Sequence, residues 1–193
     1  MGVFSLEHSK AAYAADFGLY AAAVVVLGGV MMIDAPLDQA LSLAAIAAAG
    51  LVSWSLIEYL LHRFVLHGLQ PFRSWHFEHH QRPTALICAP TVFSAALITV
   101  LVFLPALVIG GLWRACALTL GVLSGYLAYA ITHHATHHWR ADNGWLRERK
   151  RWHGRHHHDN LQPVCFGVTS SFWDHVLGSA RRSATPARPI GVE

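Results

Sequence analysis

Four long apolar stretches constrain the fold of this chain more than any other feature. They cover residues 17–33, 40–61, 89–113 and 115–132. An α-helix needs about 20 mostly apolar residues to cross the hydrocarbon core of a bilayer. Only helices and closed barrels satisfy all of their backbone hydrogen bonds inside that core. The four stretches therefore predict an all-α integral membrane protein with four transmembrane helices.

The first stretch is the shortest of the four. The alanine-rich residues 11–15 can lengthen it at its start, which places Asp16 near the membrane interface. A cleaved signal peptide is the alternative for this region, but no distinctly basic n-region and no clear cleavage site are present. We therefore expect the first stretch to be a membrane helix.

The composition agrees with a membrane protein and excludes some other classes. Charged residues make up 13% of the chain, against about 25% in a typical soluble domain. The formal net charge of +3 is too small to indicate nucleic-acid binding. Cys88, Cys116 and Cys165 are far apart and form no CxxC pair, so neither a disulfide framework nor a zinc ribbon is expected.

The basic residues predict the orientation of the chain. The loop at 34–39 has two acids and no base, and the loop between the third and fourth stretches has only Arg114. Apart from Lys10, every other basic residue lies between the second and third stretches or after the fourth. Basic residues collect on the cytoplasmic side of membrane proteins. We therefore predict that both termini and the 62–88 loop are cytoplasmic, which places every histidine on that side.

This layout divides the chain into three predicted parts. A cytoplasmic N-terminal segment covers 1–16, a single membrane domain covers 17–182, and a loose C-terminal tail covers 183–193. The membrane domain contains two tight hairpins, 17–61 and 89–132, and a cytoplasmic segment follows each hairpin.

Histidine is concentrated in these two cytoplasmic segments. The chain has fifteen histidines, and all except His8 lie at or beyond position 62. The same order of motifs occurs twice, a spaced pair after a hairpin and then Trp-His-x-x-His-His, which indicates a two-fold layout such as that of parallel membrane repeats. The motifs are HRFVLH (62–67), WHFEHH (75–80), HHATHH (133–138) and WHGRHH (152–157).

The spacings within these motifs suit metal binding. Side chains at i, i+3 and i+4 of a helix share a face, so His153, His156 and His157 can point to one place. Neutral imidazole is a ligand for zinc, copper, iron and nickel. Ten convergent histidines are too many for one small ion, so they predict two ions with about five ligands each. The pair in HHATHH is either His133 with His137 or His134 with His138.

Each motif alone also has a simpler interpretation. A short histidine-rich run such as RWHGRHHHDN (151–160) often binds no metal, and a single histidine is more often a polar interface residue than a ligand. Four motifs on one side of the membrane, each at the end of a helix, favour a dinuclear metal site over a metal-free histidine run or a set of separate interface residues.

Taken together, the motifs resemble the fatty acid hydroxylase/sterol desaturase superfamily of integral-membrane, non-haem di-iron oxygenases. The resemblance covers roughly residues 54 to 178 and rests on HRFVLH, HFEHH, HHATHH and HGRHH. The segment FGVTSSFWDHVLG (166–178) is similar to the one that closes the fatty acid 2-hydroxylase and sterol-modifying branches.

The resemblance implies a cytoplasmic helical cap that holds two iron ions, for which zinc can substitute in purified protein, and O2 as co-substrate. It also implies a membrane lipid substrate and an external electron donor, ferredoxin or cytochrome b5 in type, with its reductase. The order starting at Tyr129 matches the family for His133 and His137. The implied metal ligands are His62, His67, His76, His79, His80, His133, His137, His153, His156 and His157.

The substrate class is left open between fatty acyl, sterol-like and isoprenoid lipids. Only eight residues separate His67 from His76, a short gap similar to that of bacterial β-carotene hydroxylases and sterol oxidases, whereas the 166–178 segment resembles the other branches. We expect no fused cytochrome b5-like domain, and therefore a separate electron carrier. The oligomeric state is not predicted.

The predicted reaction is O2-dependent hydroxylation of an unactivated C–H bond in a membrane lipid. A lipid desaturase or a carotenoid hydroxylase of the same superfamily is the alternative. A metal transporter is disfavoured because no apolar stretch carries a line of ionisable residues for an ion path.

Glu58 is a candidate supporting residue for the metal site. It precedes His62 by about one helical turn inside an apolar stretch, where an ionisable residue is costly and usually functional. We predict either that it accepts the second ring N–H of a metal-binding histidine, or that it pairs with Arg63 or interfacial water.

Overall fold

The structure is a computed structural model that describes residues 7–158 and 163–180. These residues are helical and contain no β-strand; their only extended pairing is an isolated bridge between Glu7 and Ile87. The predicted all-α class is confirmed, while the predicted tail at 183–193 lies outside the described residues. The α-helices are α1 (Lys10–Asp34), α2 (Ala40–Leu60), α3 (Phe72–Gln81), α4 (Thr91–Ile98), α5 (Leu104–Gly110), α6 (Leu112–His138), α7 (Gly144–His158) and α8 (Phe172–Val176).

In the part of the chain that the structure describes, four helical runs are long and apolar enough to cross a membrane. They are Lys10–Asp34, Leu37–Leu66, Thr91–Gly110 and Leu112–His138. Each contains or closely matches one predicted stretch, so the prediction of four membrane-spanning helices is confirmed at the level of length and composition. The side of the membrane that each end faces stays a prediction.

Helix α1 begins earlier than the first apolar stretch. The Ser9 side chain caps the helix by accepting a hydrogen bond from the backbone N–H of Ala12 (3.2 Å). Asp16 therefore lies within the helix, where it is buried and accepts a hydrogen bond from the hydroxyl of Thr91. Together with the bond between the Tyr20 and Ser94 hydroxyls (2.7 Å), this contact ties α1 to α4.

The centre of the fold is the close packing of α2 against α6. A Cβ on Gly121 would lie 2.0 Å from the carbonyl oxygen of Ala47, and a Cβ on Gly50 would lie 2.6 Å from that of Leu118. Glycine at these positions lets the two backbones touch, as small residues do between membrane helices. The ends of α2 and α6 are thereby brought together, and these ends carry the first and third histidine motifs.

The third span is peripheral. It consists of α4, a π-helical turn (Thr99–Phe103) and α5, and none of its residues is buried. Gly111, with a φ of 78°, then reverses the chain into α6, a backbone conformation that glycine adopts without steric cost.

A second π-helical turn, Leu61–Leu66, follows α2 and sets the direction of the first motif. The backbone N–H of His67 donates to the carbonyl of His62, five residues earlier (3.2 Å). In a regular α-helix two residues five apart point about 140° away from each other. The wider turn brings both rings to one side, with centroids 5.4 Å apart. Such turns are frequent at functional sites.

Candidate metal centre

The ten histidines predicted as metal ligands converge in the structure into two groups. Within each group, one ring nitrogen of every histidine lies within 4.8 Å of the others. The first histidine group is His62, His67, His76, His80 and His156. The second histidine group is His79, His133, His137, His153 and His157.

Helices α3 and α7 each contribute to both groups. Helix α3 contributes His76 and His80 to the first group and His79 to the second. Helix α7 contributes His153 and His157 to the second group and His156 to the first. This exchange has the two-fold pattern that the repeated motifs indicate. The expectation that all three histidines of an HxxHH motif point to one place is wrong. Adjacent residues on a helix point about 100° apart, so the middle histidine faces the other group.

The ring nitrogens of the first group are spaced like ligands of a common ion. The Nε2 of His76 lies 2.9 Å from that of His62 and 3.1 Å from that of His80. The Nε2 of His156 lies 3.0 Å from those of His67 and His80. Two nitrogens bound at right angles to an ion, each at the usual 2.0–2.1 Å, would be about 3.0 Å apart. The first group therefore fits a metal ion without rearrangement of its rings.

The second group has similar spacings. The Nε2 of His153 lies 2.8 Å from that of His137 and 3.0 Å from that of His157. The ring of His79 completes the group, with its centroid 4.8 Å from His133, 4.9 Å from His137 and 5.0 Å from His157. This group also fits one ion.

Burial keeps these imidazoles neutral. Loss of solvent, followed by the proximity of the other histidines, lowers the pKa of His67 to about 4 and the pKa values of His79 and His157 to about 2. The same causes place the pKa values of His76, His153 and His156 well below the ordinary value of 6.5. A neutral imidazole offers a nitrogen lone pair, which is the form that binds a metal.

Two histidines of the first group are oriented by backbone carbonyls. The Nδ1–H of His62 donates to the carbonyl of Phe166 (2.6 Å), and the Nδ1–H of His156 donates to that of Val164 (2.8 Å). These bonds select the tautomer in which Nε2 carries the free lone pair. They also orient each ring so that its Nε2 points at the centre of the group. Sequence reasoning missed both acceptors, because a backbone carbonyl leaves no signature in the residue type.

Glu58 makes neither of its predicted contacts with protein groups. Its Oε1 accepts hydrogen bonds from the backbone N–H groups of Val168 (3.1 Å) and Thr169 (2.9 Å), and not from a ring nitrogen. Arg63 instead donates to the Tyr59 hydroxyl and to the carbonyl of Leu177. The segment that carries Phe166 lies next to Glu58. The Glu58 carboxylate therefore bonds to the backbone of that segment instead of to a histidine ring or to Arg63.

The remaining histidines near the site lie outside both groups. The rings of His134 and His138 stack on each other with centroids 4.4 Å apart, and His134 Nδ1 lies 3.3 Å from the hydroxyl of Tyr13. Of the two pairs left open by HHATHH, the structure thus brings the His133 pair to the site. His175 bonds to the carbonyl of Ser171 (2.8 Å) and stacks on Trp152.

An all-imidazole donor set determines which metals suit these groups. No carboxylate or thiol belongs to either group within the described residues. Neutral nitrogen donors suit iron, zinc, copper and nickel better than magnesium or calcium, which prefer oxygen. The fold and the site thus define an all-helical membrane protein with two adjacent histidine clusters suited to transition metals.

Comparison with known proteins places this architecture in a family. The family model described as fatty acid hydroxylase matches residues 47–179. The chain belongs to the fatty acid hydroxylase family, which confirms the resemblance seen in its motifs.

The relatives have named activities. The chain is 33% identical over 145 residues to a dihydroceramide fatty acyl 2-hydroxylase of Arabidopsis thaliana, covering 69% of this chain and 60% of that protein. It is 33% identical over 143 residues to a ceramide very long chain fatty acid hydroxylase of Schizosaccharomyces pombe, covering 67% and 40%. The chain thus spans 60% or less of the length of these two curated relatives.

A solved structure has the same fold. It is full-length scs7p, in which only the hydroxylase domain is visible. The match has a TM-score of 0.74 at 28% identity and covers 90% of this chain and 67% of that one.

Proposed function

We propose that this chain is an O2-dependent membrane lipid hydroxylase in which the two histidine groups each hold one iron ion. The observation that carries the proposal is the convergence of ten imidazoles into two groups of five at the ends of membrane helices. Family membership supports it, since the similar proteins named above are fatty acyl and ceramide hydroxylases.

Iron bound in these groups would supply the activation of O2 and the cleavage of an unactivated C–H bond, which no protein side chain can perform. The overall reaction is RH + O2 + 2 e⁻ + 2 H⁺ → ROH + H2O. The two electrons come from a separate donor of the ferredoxin or cytochrome b5 type with its reductase. The protein residues hold the ions, keep the imidazoles neutral and position the lipid.

The depth of the site selects the part of the lipid that reacts. His62 lies near the end of the span Leu37–Leu66, and His133 and His137 lie within the last turns of Leu112–His138. A lipid that stays in the bilayer therefore presents the carbons next to its head group to the site, and its methyl end is remote. We place the reaction at the 2-position of a fatty acyl chain, in a free fatty acid or a ceramide, and the site on the cytoplasmic side.

The test is lipid profiling under 18O2. The chain is expressed with a ferredoxin or cytochrome b5 and its reductase in a host that makes no 2-hydroxylated lipids and is supplied with ceramide. The matched variants are His137→Ala, within the second group, and His138→Ala, at the next position but exposed and outside both groups. The expected product is an 18O-labelled 2-hydroxyacyl chain from wild type and His138→Ala, and none from His137→Ala.

Other outcomes contradict the proposal in different ways. Equal product from His137→Ala contradicts the role of the site. A new double bond or a hydroxylated isoprenoid identifies the chain as a desaturase or a carotenoid hydroxylase. Loosely held zinc, with no O2-dependent product, favours metal transport.

A further inference from the structure

The two histidine groups receive unequal support from the residues that the structure describes. Both backbone carbonyls that orient rings of the first group belong to one short segment, residues 164–169, which we name the clamp segment. In this segment the carbonyl of Val164 accepts a hydrogen bond from the Nδ1–H of His156, and the carbonyl of Phe166 accepts one from the Nδ1–H of His62. Both rings are fully buried, with exposed fractions of 0% and 2%.

Two buried carboxylates hold the clamp segment in place. Oε1 of Glu58, on α2, accepts the backbone N–H groups of Val168 and Thr169. Asp174, on α8, accepts the N–H of Phe166 with Oδ1 (2.8 Å) and that of Gly167 with Oδ2 (2.9 Å). Bonds from peptide N–H groups to a buried carboxylate are among the stronger hydrogen bonds in proteins. The segment is thus fixed from both sides, against the membrane helix and against its own continuation.

The backbone conformation of the clamp segment is specific. A Cβ on Gly167 would lie 1.9 Å from the carbonyl oxygen of Ser170 and 2.9 Å from Oδ2 of Asp174, so no larger residue fits there. Cys165 has a φ of 57°, in the left-handed region, and its N–H donates to the carbonyl of Ser179 (3.1 Å). A non-glycine residue in this region indicates that its surroundings determine the conformation.

The second group lacks this support over the part of the chain that the structure describes. The Nδ1 atoms of His79, His153 and His157 are buried and have no hydrogen-bond partner there. Among residues 7–158 and 163–180, nothing comparable to the clamp segment therefore selects their tautomers or fixes their ring orientations. Partners of this kind change metal affinity by about 10–100-fold when they are removed from natural sites.

We propose that the two metal positions differ in affinity, and that Glu58 and Asp174 act through the clamp segment to make the first group the tighter one. The inference rests on the proposed function, because it requires that both groups hold a metal. Glu58 is then a positioning residue: its Oε1 bonds to the backbone of the clamp segment, and not to a histidine ring, and it thereby places the carbonyls that orient two of the rings. We expect the first ion to bind at least about 10-fold more tightly than the second.

The primary test needs no variant. Metal-free protein in detergent is given one equivalent of 57Fe(II) without O2, and then a second, and each sample is analysed by Mössbauer spectroscopy. The expected spectrum shows one iron environment after the first equivalent and a second environment after the next. Both environments in equal amounts after one equivalent overturn the inference.

Two variants assign the first environment. His76→Ala, in the first group, should abolish it, whereas His133→Ala, in the second group, should leave it intact. The opposite pattern overturns the inference. A protein that takes up no iron at all contradicts the proposed function, and one that binds two ions equally contradicts only the inequality.

Glu58 is tested by the rate at which a chelator removes iron. Wild-type protein should lose one iron quickly and one slowly. Glu58→Ala should accelerate the slow phase about 10–100-fold and leave the fast phase unchanged. Glu58→Gln should restore the slow phase toward wild type, because the amide oxygen can accept the same two N–H groups.

A matched control separates this role from general support of the fold. Trp173→Phe removes the bond from the Trp173 indole to the Ser55 hydroxyl (3.1 Å), which ties α8 to α2 without touching the clamp segment. It should leave both phases unchanged. Equal acceleration of both phases in Glu58→Ala contradicts a specific effect on the first group.

Discussion

The imidazole rings of His80 and His157 stack nearly parallel, with centroids 4.1 Å apart and planes inclined by 14°. His80 belongs to the first histidine group and His157 to the second. The stack therefore joins the two groups face to face and makes the two candidate metal positions immediate neighbours. That proximity suits a reaction in which two metal ions act on one O2 molecule.

The assignment of the pair in HHATHH can be checked by metal content. We expect His137→Ala to lose about one of the two iron ions, because the second group would keep only four of its imidazoles. His138→Ala should keep both, since that ring is exposed and stacks on His134, outside the groups. Elemental analysis of the two purified variants measures the difference. Equal iron loss from both, or loss from His138→Ala alone, contradicts the assignment.

The metal-free protein should be destabilised by mild acid. Histidines in an unfolded chain titrate near 6.5, whereas the pKa of folded His67 is about 4 and that of folded His79 is about 2. Below pH 6.5 the unfolded state therefore binds more protons than the folded state, so the free energy of unfolding decreases as the pH falls. The loss begins near pH 6.5 and continues down to about pH 4 and below. Unfolding curves at several pH values test this, and a midpoint that stays constant or rises between pH 7 and 5 contradicts it.

The close packing of α2 and α6 should make Gly121 intolerant of a side chain. Gly121→Ala places a methyl group where the carbonyl oxygen of Ala47 would be only 2.0 Å away, so we expect a loss of about 1–3 kcal/mol in the free energy of unfolding. Gly18→Ala, in α1, is the control because no atom lies within 4 Å of its Cβ position. Denaturation in detergent micelles compares the two. A Gly121→Ala protein as stable as Gly18→Ala contradicts the packing.

Asp174 should matter for stability far more than its position in a short surface helix indicates. Its carboxylate is fully buried and also accepts hydrogen bonds from the Ser179 hydroxyl (2.7 Å) and the Trp152 indole (3.0 Å). Asp174→Ala leaves several buried donors without partners, at about 1–3 kcal/mol each, so we expect a loss of at least about 3 kcal/mol. Asp142→Ala, at an exposed position, should stay within about 0.5 kcal/mol of wild type. A small effect at Asp174 in the same unfolding assay contradicts its role as an anchor.

Much of the fold could be predicted from the sequence because hydrophobic length and helical spacing are local properties. The four spans and the convergence of the histidine motifs follow from such patterns, whereas the choice of His133 and His137 within HHATHH came from the family resemblance. The division of each HxxHH motif between the two groups could not be predicted in this way, because it depends on where α3 and α7 lie relative to each other. That arrangement is set by long-range packing, which no spacing within one motif records.

The surroundings of the site were the least predictable part. Glu58 was identified as unusual from its place in an apolar stretch, yet its partners are backbone N–H groups more than a hundred residues away. The carbonyls of Val164 and Phe166 orient their histidines through peptide groups that every sequence contains. The neighbouring Gly167 can be recognised in the sequence as a glycine. The reason that glycine is required there, however, is the closeness of Ser170 and Asp174, which is known only from the structure.

The most direct test of the two-metal account is a structure of the protein loaded anaerobically with iron, with anomalous scattering measured at the iron edge. We expect two anomalous peaks per chain, one inside each histidine group, each within bonding distance of the ring nitrogens of its five histidines. A single peak, or a peak at His134 and His138 with either group empty, would contradict it.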